Sequence, residues 1–325
     1  MSVILASYNA EDFLRPAVAS ILQQTFTDFE IIAVDDGSTD GSRDILRSFD
    51  DPRLRIIEQE NMGLTPTLNK ACGLAKADLL ARMDADDIAK PDRFAKQVAF
   101  LDAHPEVAVL GGAYELIDER GRLLRTQTQP TDNATLQERC LVGKVPICHP
   151  LVMMRRDIFE RVGGYDESYP ASQDLDLWLR MGEHGQLACL PDVLLQYRMQ
   201  PESISEKKGA LQTECMRRGC EAAWERRGVV GQYEFANPTG WRPTSKAESK
   251  LKYALQYGWW AWHSGEWRTA LSYGKDAARL APTKADGWKL MACALLRKPH
   301  LSGDRRELPA TAPKLPLVAA QTGEA

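Results

Sequence analysis

The sequence predicts an α/β domain built on a mostly parallel sheet flanked by helices, followed by an α-helical appendage. Three observations carry that expectation. Over the first hundred residues short apolar runs alternate with amphipathic helical stretches, which is how consecutive βαβ units read. Acidic residues stand where those runs end, the edge at which open α/β sheets bind ligands. Beyond residue 205 the pattern turns helical and becomes rich in Trp.

Val3 to Ala6 reads as the first strand. Asn9 is expected to cap the following helix, whose apolar stripe is Phe13, Leu14, Val18, Ile21 and Leu22. A second strand, Phe29 to Val34, runs into Asp35-Asp36-Gly37-Ser38, after which Asp40 can cap a helix from Gly41 to Phe49. Leu54 to Ile57 is the third strand and Leu64 to Lys76 a helix. The strand Leu79 to Met83 then leads into Asp84-Ala85-Asp86-Asp87. Pro91 is expected to open the next helix, because the first turn tolerates a missing N–H. Val107 to Ile117 and Arg122 to Thr126, joined by Glu119-Arg120-Gly121, read as a hairpin extending the sheet. Residues 147 to 154 read as a buried strand, and Asp174 to Met181 as a helix with Leu175, Trp178 and Leu179 turned inward. The expected organisation is a catalytic domain over residues 1–205, a connecting helix and linker over 206–244, a helical segment over 245–300, and a disordered tail over 301–325.

Composition narrows the function classes. The chain has 325 residues, 41 Lys+Arg against 45 Asp+Glu, a net charge of −4 and 44% hydrophobic residues. Disorder throughout is excluded, and no clustered basic face supports nucleic-acid binding. Seven cysteines, an odd number without a CxxC pair, and five dispersed histidines fit reduced thiols rather than a disulfide frame or zinc site. The first residues lack a signal-peptide pattern and no apolar run reaches the roughly 18 residues of a membrane span, so a cytoplasmic location is expected. Residues 206–227 carry six basic and four acidic side chains. A solvated helix face is the favoured reading, with docking on an anionic membrane surface as the alternative.

The chemistry concentrates in acids. One carboxylate of Asp35-Asp36 can accept a hydrogen bond from a base or ribose, although the same residues also suit a turn and a helix cap. Asp84 and Asp86, two apart in an extended segment, would project to one side and offer hard oxygen donors to Mg²⁺ or Mn²⁺. Such a cation could hold a diphosphate. Asp174 or Asp176, at a helix start, could cap that helix or act as general base, and spacing does not choose between them. No GxGxxG, Walker-type loop or GxSxG elbow is present.

Taken in order, Val3-Ile4-Leu5-Ala6-Ser7-Tyr8-Asn9, Ser20-Ile21-Leu22-Gln23-Gln24-Thr25, Val34 through Asp40, Asn61-Met62-Gly63-Leu64, Arg82 through Asp87, His149-Pro150, Gly163-Gly164-Tyr165-Asp166 and Asp174-Leu175-Asp176-Leu177-Trp178 resemble the family-2 glycosyltransferases, with the Rossmann-like GT-A fold, of the bacterial cell-surface polysaccharide type. The resemblance covers about the first 205 residues. It implies that Asp36 accepts from the nucleotide base in a pocket lined by Ala6, Tyr8 and Asn9, that Asp84 reaches the ribose or metal region, that Asp86 coordinates the divalent metal, and that Asp174 is the catalytic base. The reaction implied is inverting transfer from a nucleotide-diphosphate sugar to a saccharide or lipid-linked acceptor, in peripheral contact with the inner face of the plasma membrane. Gln173 stands where relatives often carry Glu. Losing that like charge should lower the pKa of Asp174, other things equal.

Gly265 through Leu271, with Tyr273, Ala277, Leu280 and Pro282, resemble one tetratricopeptide repeat. A single repeat cannot bury its own face, so it must pack on the catalytic domain, on a partner protein or on a second copy. Two other classes stay open. A sugar-nucleotide nucleotidyltransferase would show a Gly-rich, basic loop after the first strand, which is not seen. A non-catalytic sugar-binding scaffold would have little use for four such acids together.

Overall fold

The computed structural model describes residues 1–200, 209–229 and 247–296. Its first half is four parallel strands in the order β3 (Leu54–Gln59), β2 (Glu30–Asp36), β1 (Ser2–Ser7), β4 (Leu79–Asp84). Between them run α1 (Glu11–Leu22), α2 (Ser42–Arg47) and α3 (Leu64–Gly73). Burial on both faces of β1, β2 and β4 explains their continuous apolar runs, whereas the edge strand β3 is only partly buried. Val3 and Leu5 pack with Leu14, Val18 and Ile21 on one face, while Ile4 packs with Leu68 and Trp178 on the other.

The second half of the sheet is mixed. After the two-residue β5 (Ile88–Ala89) and α4 (Arg93–Ala103) come β6 (Val107–Ile117) and β7 (Leu123–Gln127), the expected hairpin. Then follow α5 (Asn133–Leu141), β8 (Met153–Arg155), α6 (Arg156–Arg161), α7 (Gln173–Met181) and β9 (Gln186–Arg198). The sheet continues from β4 through β8, β6 and β9 to β5, with β8 antiparallel to both neighbours and β9 parallel to β6.

Several local expectations are corrected. Asn9 does not cap α1: it takes a left-handed backbone, φ 48°, and Ala10 occupies the cap position. Pro91 lies ahead of α4, whose cap is Asp92. Residues 147–154 hold a 3₁₀ turn, His149–Leu151, before the short β8 rather than one strand. The 13-residue β9 has no counterpart in the sequence reading.

Helix α8 (Gly209–Arg227) packs against α7 and α5, burying Cys215, Cys220, Ala223 and Trp224. Its arginines are paired, Arg217 on the exposed face of the helix itself and the others across to neighbouring segments. Arg217 pairs with Glu214 and Glu221, Arg226 and Arg227 meet Glu183, and Arg218 donates to Ser168. Lys207, Lys208 and the tail over 301–325 lie outside the described residues.

Helices α9 (Ala247–His263), α10 (Trp267–Leu280) and α11 (Ala285–Leu296) form the appendage. Small residues let them approach: a Cβ on Gly287 would stand 2.5 Å from the Ala278 backbone N. The unit's apolar face closes on the β6–β7 hairpin, where Leu116 and Leu124 meet Ala254, Tyr257, Tyr273 and Ala277. Ser264 Oγ donates to the Leu124 carbonyl at 3.1 Å. Among the described residues no helix is long and apolar enough to cross a membrane.

Candidate active site

Parallel register brings the acids of the first half to one edge. Ala6 pairs with Val34 on one side and with Asp84 on the other, and Ser7 pairs with Asp35. The carboxyl ends of β1, β2 and β4 therefore finish together, with Tyr8 half exposed beyond them. Asn9 Oδ1 accepts from the Thr39 N–H at 2.8 Å, and the Asn9 N–H donates to Ser38 Oγ at 3.0 Å. The left-handed turn at Asn9 is thus held by the loop after β2.

The two acids of that loop divide the work. Asp35 is buried, accepting from Ser38 N and from Arg43 Nε at 2.8 Å. Asp36 clamps the next loop: Oδ1 accepts from Gln59 Nε2 at 2.7 Å and Met62 N at 2.8 Å, and Oδ2 from Gly63 N at 2.9 Å. Gly37, at φ 79°, lets that loop close, since a Cβ there would meet Asn61 N at 2.6 Å. A cleft of about 490 Å³ opens beside it, lined by Gly37, Arg43, Glu58, Gln59, Glu60 and Asn61.

Carboxylate oxygens of Asp84, Asp86 and Asp87 all lie within 4.8 Å of one another. Asp84 ends β4, whereas Asp86 lies in the turn that follows, so a bend rather than strand alternation unites them. Asp84 pairs with Arg82, the residue two before it on β4. Burial, and then the Asp84 charge, push Asp86 up to about 6. Burial, reinforced by Asp86 and Asp84, lifts Asp87 well above the carboxylate range. Asp87 Oδ2 is buried with no hydrogen-bond partner among the described residues. Three crowded hard oxygens with one orphaned lone-pair donor are a set that a divalent cation fits.

Asp174 and Asp176 have different surroundings. Asp176 Oδ2 accepts from Arg180 Nε at 2.9 Å and Nη2 at 2.5 Å, and Arg180 also donates to the Val162 and Gly164 carbonyls. Asp176 therefore ties α7 to the Gly163-Gly164 turn. Asp174 has no ion pair among the described residues; its Oδ1 accepts from Leu175 N at 2.9 Å. It lies near enough to Arg82 and Asp84 to feel both charges; burial, aided by the Asp84 charge, outweighs the Leu175 N–H and Arg82 and raises its pKa. Ser172, just before α7, is left-handed at φ 55°; with Asn9 it is one of two non-glycine residues at positive φ among those described. Both flank this site, where such strain concentrates.

His149 Nε2 lies 2.8 Å from the Tyr165 hydroxyl, and its ring meets that of Trp178 on α7 edge-on at 5.9 Å. Burial keeps this imidazole neutral by pushing its pKa well down.

The sequence profile of Glycosyl transferase family 2 matches residues 2–163. The amylovoran biosynthesis glycosyltransferase AmsE of Erwinia amylovora is 32% identical over 214 residues, which is 64% of this chain and 79% of that relative. The chain belongs to glycosyltransferase family 2. The putative glycosyltransferase EpsE of Bacillus subtilis is 34% identical over 195 residues, 57% of this glycosyltransferase and 67% of its own length. The fold is also that of S. aureus TarS 1-349, solved in complex with UDP, at TM-score 0.53 and 17% identity over 89% of this chain and 88% of that one. The mannosyltransferase PcManGT from Pyrobaculum calidifontis, in complex with GDP-Man and Mn²⁺, aligns at TM-score 0.52 and 19% identity, covering 91% and 79%. The family-2 domain is thus a GT-A fold, and the enzyme carries the helices α9 to α11 besides.

Sequence reasoning missed four residues of this candidate site. Asp87 joins the acidic cluster, and Arg82 braces Asp84. From the end of β9, Gln200 Nε2 donates to Asp86 Oδ2 at 2.7 Å and the Arg198 N–H donates to Asp87 Oδ1 at 2.8 Å. Arg82 left a signal, a charge inside the apolar run Leu79 to Met83. Arg198 and Gln200 left none without β9.

Proposed function

We propose that this glycosyltransferase catalyses metal-dependent, inverting transfer of a sugar from a nucleotide-diphosphate sugar to a hydroxyl of a saccharide or lipid-linked acceptor, in bacterial cell-surface polysaccharide biosynthesis. The observation that carries the reading is the division of acids: three crowded carboxylates at the strand edge, and beside them Asp174, without an ion pair among the described residues. AmsE, named for amylovoran biosynthesis, supports the polysaccharide setting. TarS in complex with UDP and PcManGT with GDP-Man and Mn²⁺ support a nucleotide-sugar donor and a divalent cation.

Ala6, Tyr8, Asn9 and Asp36 would form the base pocket, with the Gln59 to Gly63 loop placed by Asp36. Asp86, Asp84 and Asp87 would hold Mg²⁺ or Mn²⁺, which when bound supplies positive charge toward the departing diphosphate. Asp174 Oδ1 is engaged by the Leu175 N–H, leaving Oδ2 to take the acceptor's hydroxyl proton. A carboxyl lifted by burial is the better base. The acceptor oxygen forms its bond to the anomeric carbon as that carbon's bond to the nucleoside diphosphate breaks, on the opposite face. Acceptors at the inner membrane face would be reached by peripheral contact, which liposome flotation tests.

The deciding experiment is a donor screen with UDP-, GDP- and dTDP-sugars, with Mn²⁺, Mg²⁺ or chelator, scored for nucleoside diphosphate release and for product anomeric configuration by NMR. Turnover that survives chelation, or a product retaining the donor's configuration, refutes the reading.

A further inference from the structure

Arg198 ends β9 and is 6% exposed. Its backbone N–H donates to Asp87 Oδ1 at 2.8 Å and its Nε donates to the Asp86 carbonyl, also at 2.8 Å. At the far end of the same guanidinium, Nη1 donates to the carbonyls of Asp118 and Glu119, each at 3.1 Å. The cation also lies over the Phe13 ring, 4.6 Å from its centre. One side chain thus fastens the acidic turn to the β6–β7 turn.

The β6–β7 turn is itself fastened from outside. Asp118, 2% exposed, accepts at Oδ1 from the backbone N–H groups of Arg120 and Arg122, and at Oδ2 from Arg122 Nε at 2.7 Å. Its Oδ2 also accepts from the Tyr273 hydroxyl of α10 at 3.0 Å. Bonds of 2.8 to 3.1 Å therefore run without a gap from the appendage, through Asp118 and Arg198, to Asp86 and Asp87.

Three carboxyl groups within 4.8 Å repel one another once ionised, as ligands to a cation must be, and an unbraced turn would relieve that by spreading. Holding it closed in advance removes reorganisation from cation binding, which is how residues behind a ligand set its affinity. We propose that Arg198 is a positioning residue for the acidic cluster, and that the carboxy-terminal helices set its placement through Tyr273 and Asp118. The inference rests on the reading of Asp84, Asp86 and Asp87 as cation ligands.

The test titrates Mn²⁺ into the full chain without donor, following free Mn²⁺ by electron paramagnetic resonance. Arg198→Lys, which keeps the charge and loses the fork, should bind Mn²⁺ about tenfold more weakly. Tyr273→Phe, at a distance, should bind about threefold more weakly, the scale of one lost hydrogen bond. Ser264→Ala loosens the same helices from the same hairpin by removing the bond to Leu124, away from Arg198. It should lower Tm and leave Mn²⁺ affinity unchanged. Wild-type affinity in Arg198→Lys overturns the brace, wild-type affinity in Tyr273→Phe overturns the helices' part in it, and an equal loss of affinity in Ser264→Ala overturns the path through Tyr273. Failure of the wild-type chain to bind Mn²⁺ overturns the metal reading and the brace together.

Discussion

Replacing Asp174 by asparagine should abolish most turnover and at the same time stabilise the protein. The two effects share one cause. Asp174 is a carboxyl whose pKa burial raises, with no cation paired to it among the described residues, so its charged form is disfavoured in the fold. Between the unfolded and the folded pKa the native state binds more protons, and stability falls as pH rises through that window. Above the folded pKa the cost is fully present. Each tenfold difference in proton affinity corresponds to about 1.4 kcal/mol, and about 1 kcal/mol moves Tm by roughly 2–4 °C in a domain of this size. The amide of Asp174→Asn carries no charge, so the metal-free variant should melt above wild type at pH 8, and the gap should close as pH falls. Turnover should drop by about 10²- to 10⁴-fold, the usual contribution of a positioned base, with donor affinity by calorimetry retained. Asp176→Asn is the contrast. It strips Arg180 of its buried partner and should cost about 3 kcal/mol. Wild-type turnover in Asp174→Asn, or a melting point below wild type at pH 8, refutes the assignment.

Asp86→Ala should eliminate Mn²⁺ binding measured by paramagnetic resonance. In wild type the affinity should weaken as pH falls through about 6, where Asp86 takes up a proton and competes with the cation. Asp36→Asn removes acceptors from the Gln59 to Gly63 clamp and should cost about 1–3 kcal/mol of stability, seen in urea melts; nucleoside diphosphate affinity should fall with it, and unchanged affinity would separate Asp36 from the donor pocket. Gly287→Val forces a side chain against Ala278 N and should part α10 from α11, lowering Tm by differential scanning fluorimetry.

Most of the parallel half of the sheet was legible because β1, β2 and β4 are buried on both faces and β2 and β4 end in turn-forming acids, as in Ile31 to Gly37. The mixed half was not. β9 went unread because Pro191 and Asp192 interrupt its apolar pattern; the structure absorbs both in a bulge, pairing Gly112 with Leu190 and Ala113 with Val193. β8 has three residues, too few for any periodicity. Asn9 reads as a cap because Asn favours both a cap and a left-handed turn, and only the partner Thr39 decides between them. Asp174 and Asp176 are indistinguishable by spacing, since what separates them is the position of Arg180 one helical turn later. The appendage's need for a covering surface followed from its size alone; that the surface is the hairpin did not.

The bond between Arg198 N and Asp87 Oδ1 spans 111 positions of chain. During synthesis the amino-terminal strands can pair long before β9 leaves the ribosome, so the acids after β4 must wait, unbraced, for the last strand to insert beside β6. Long-range closure of this kind is slow compared with local pairing. The nascent enzyme should therefore pass through a stage with its sheet half built and its catalytic edge still open, and a fragment ending at residue 185 should fold no further than that.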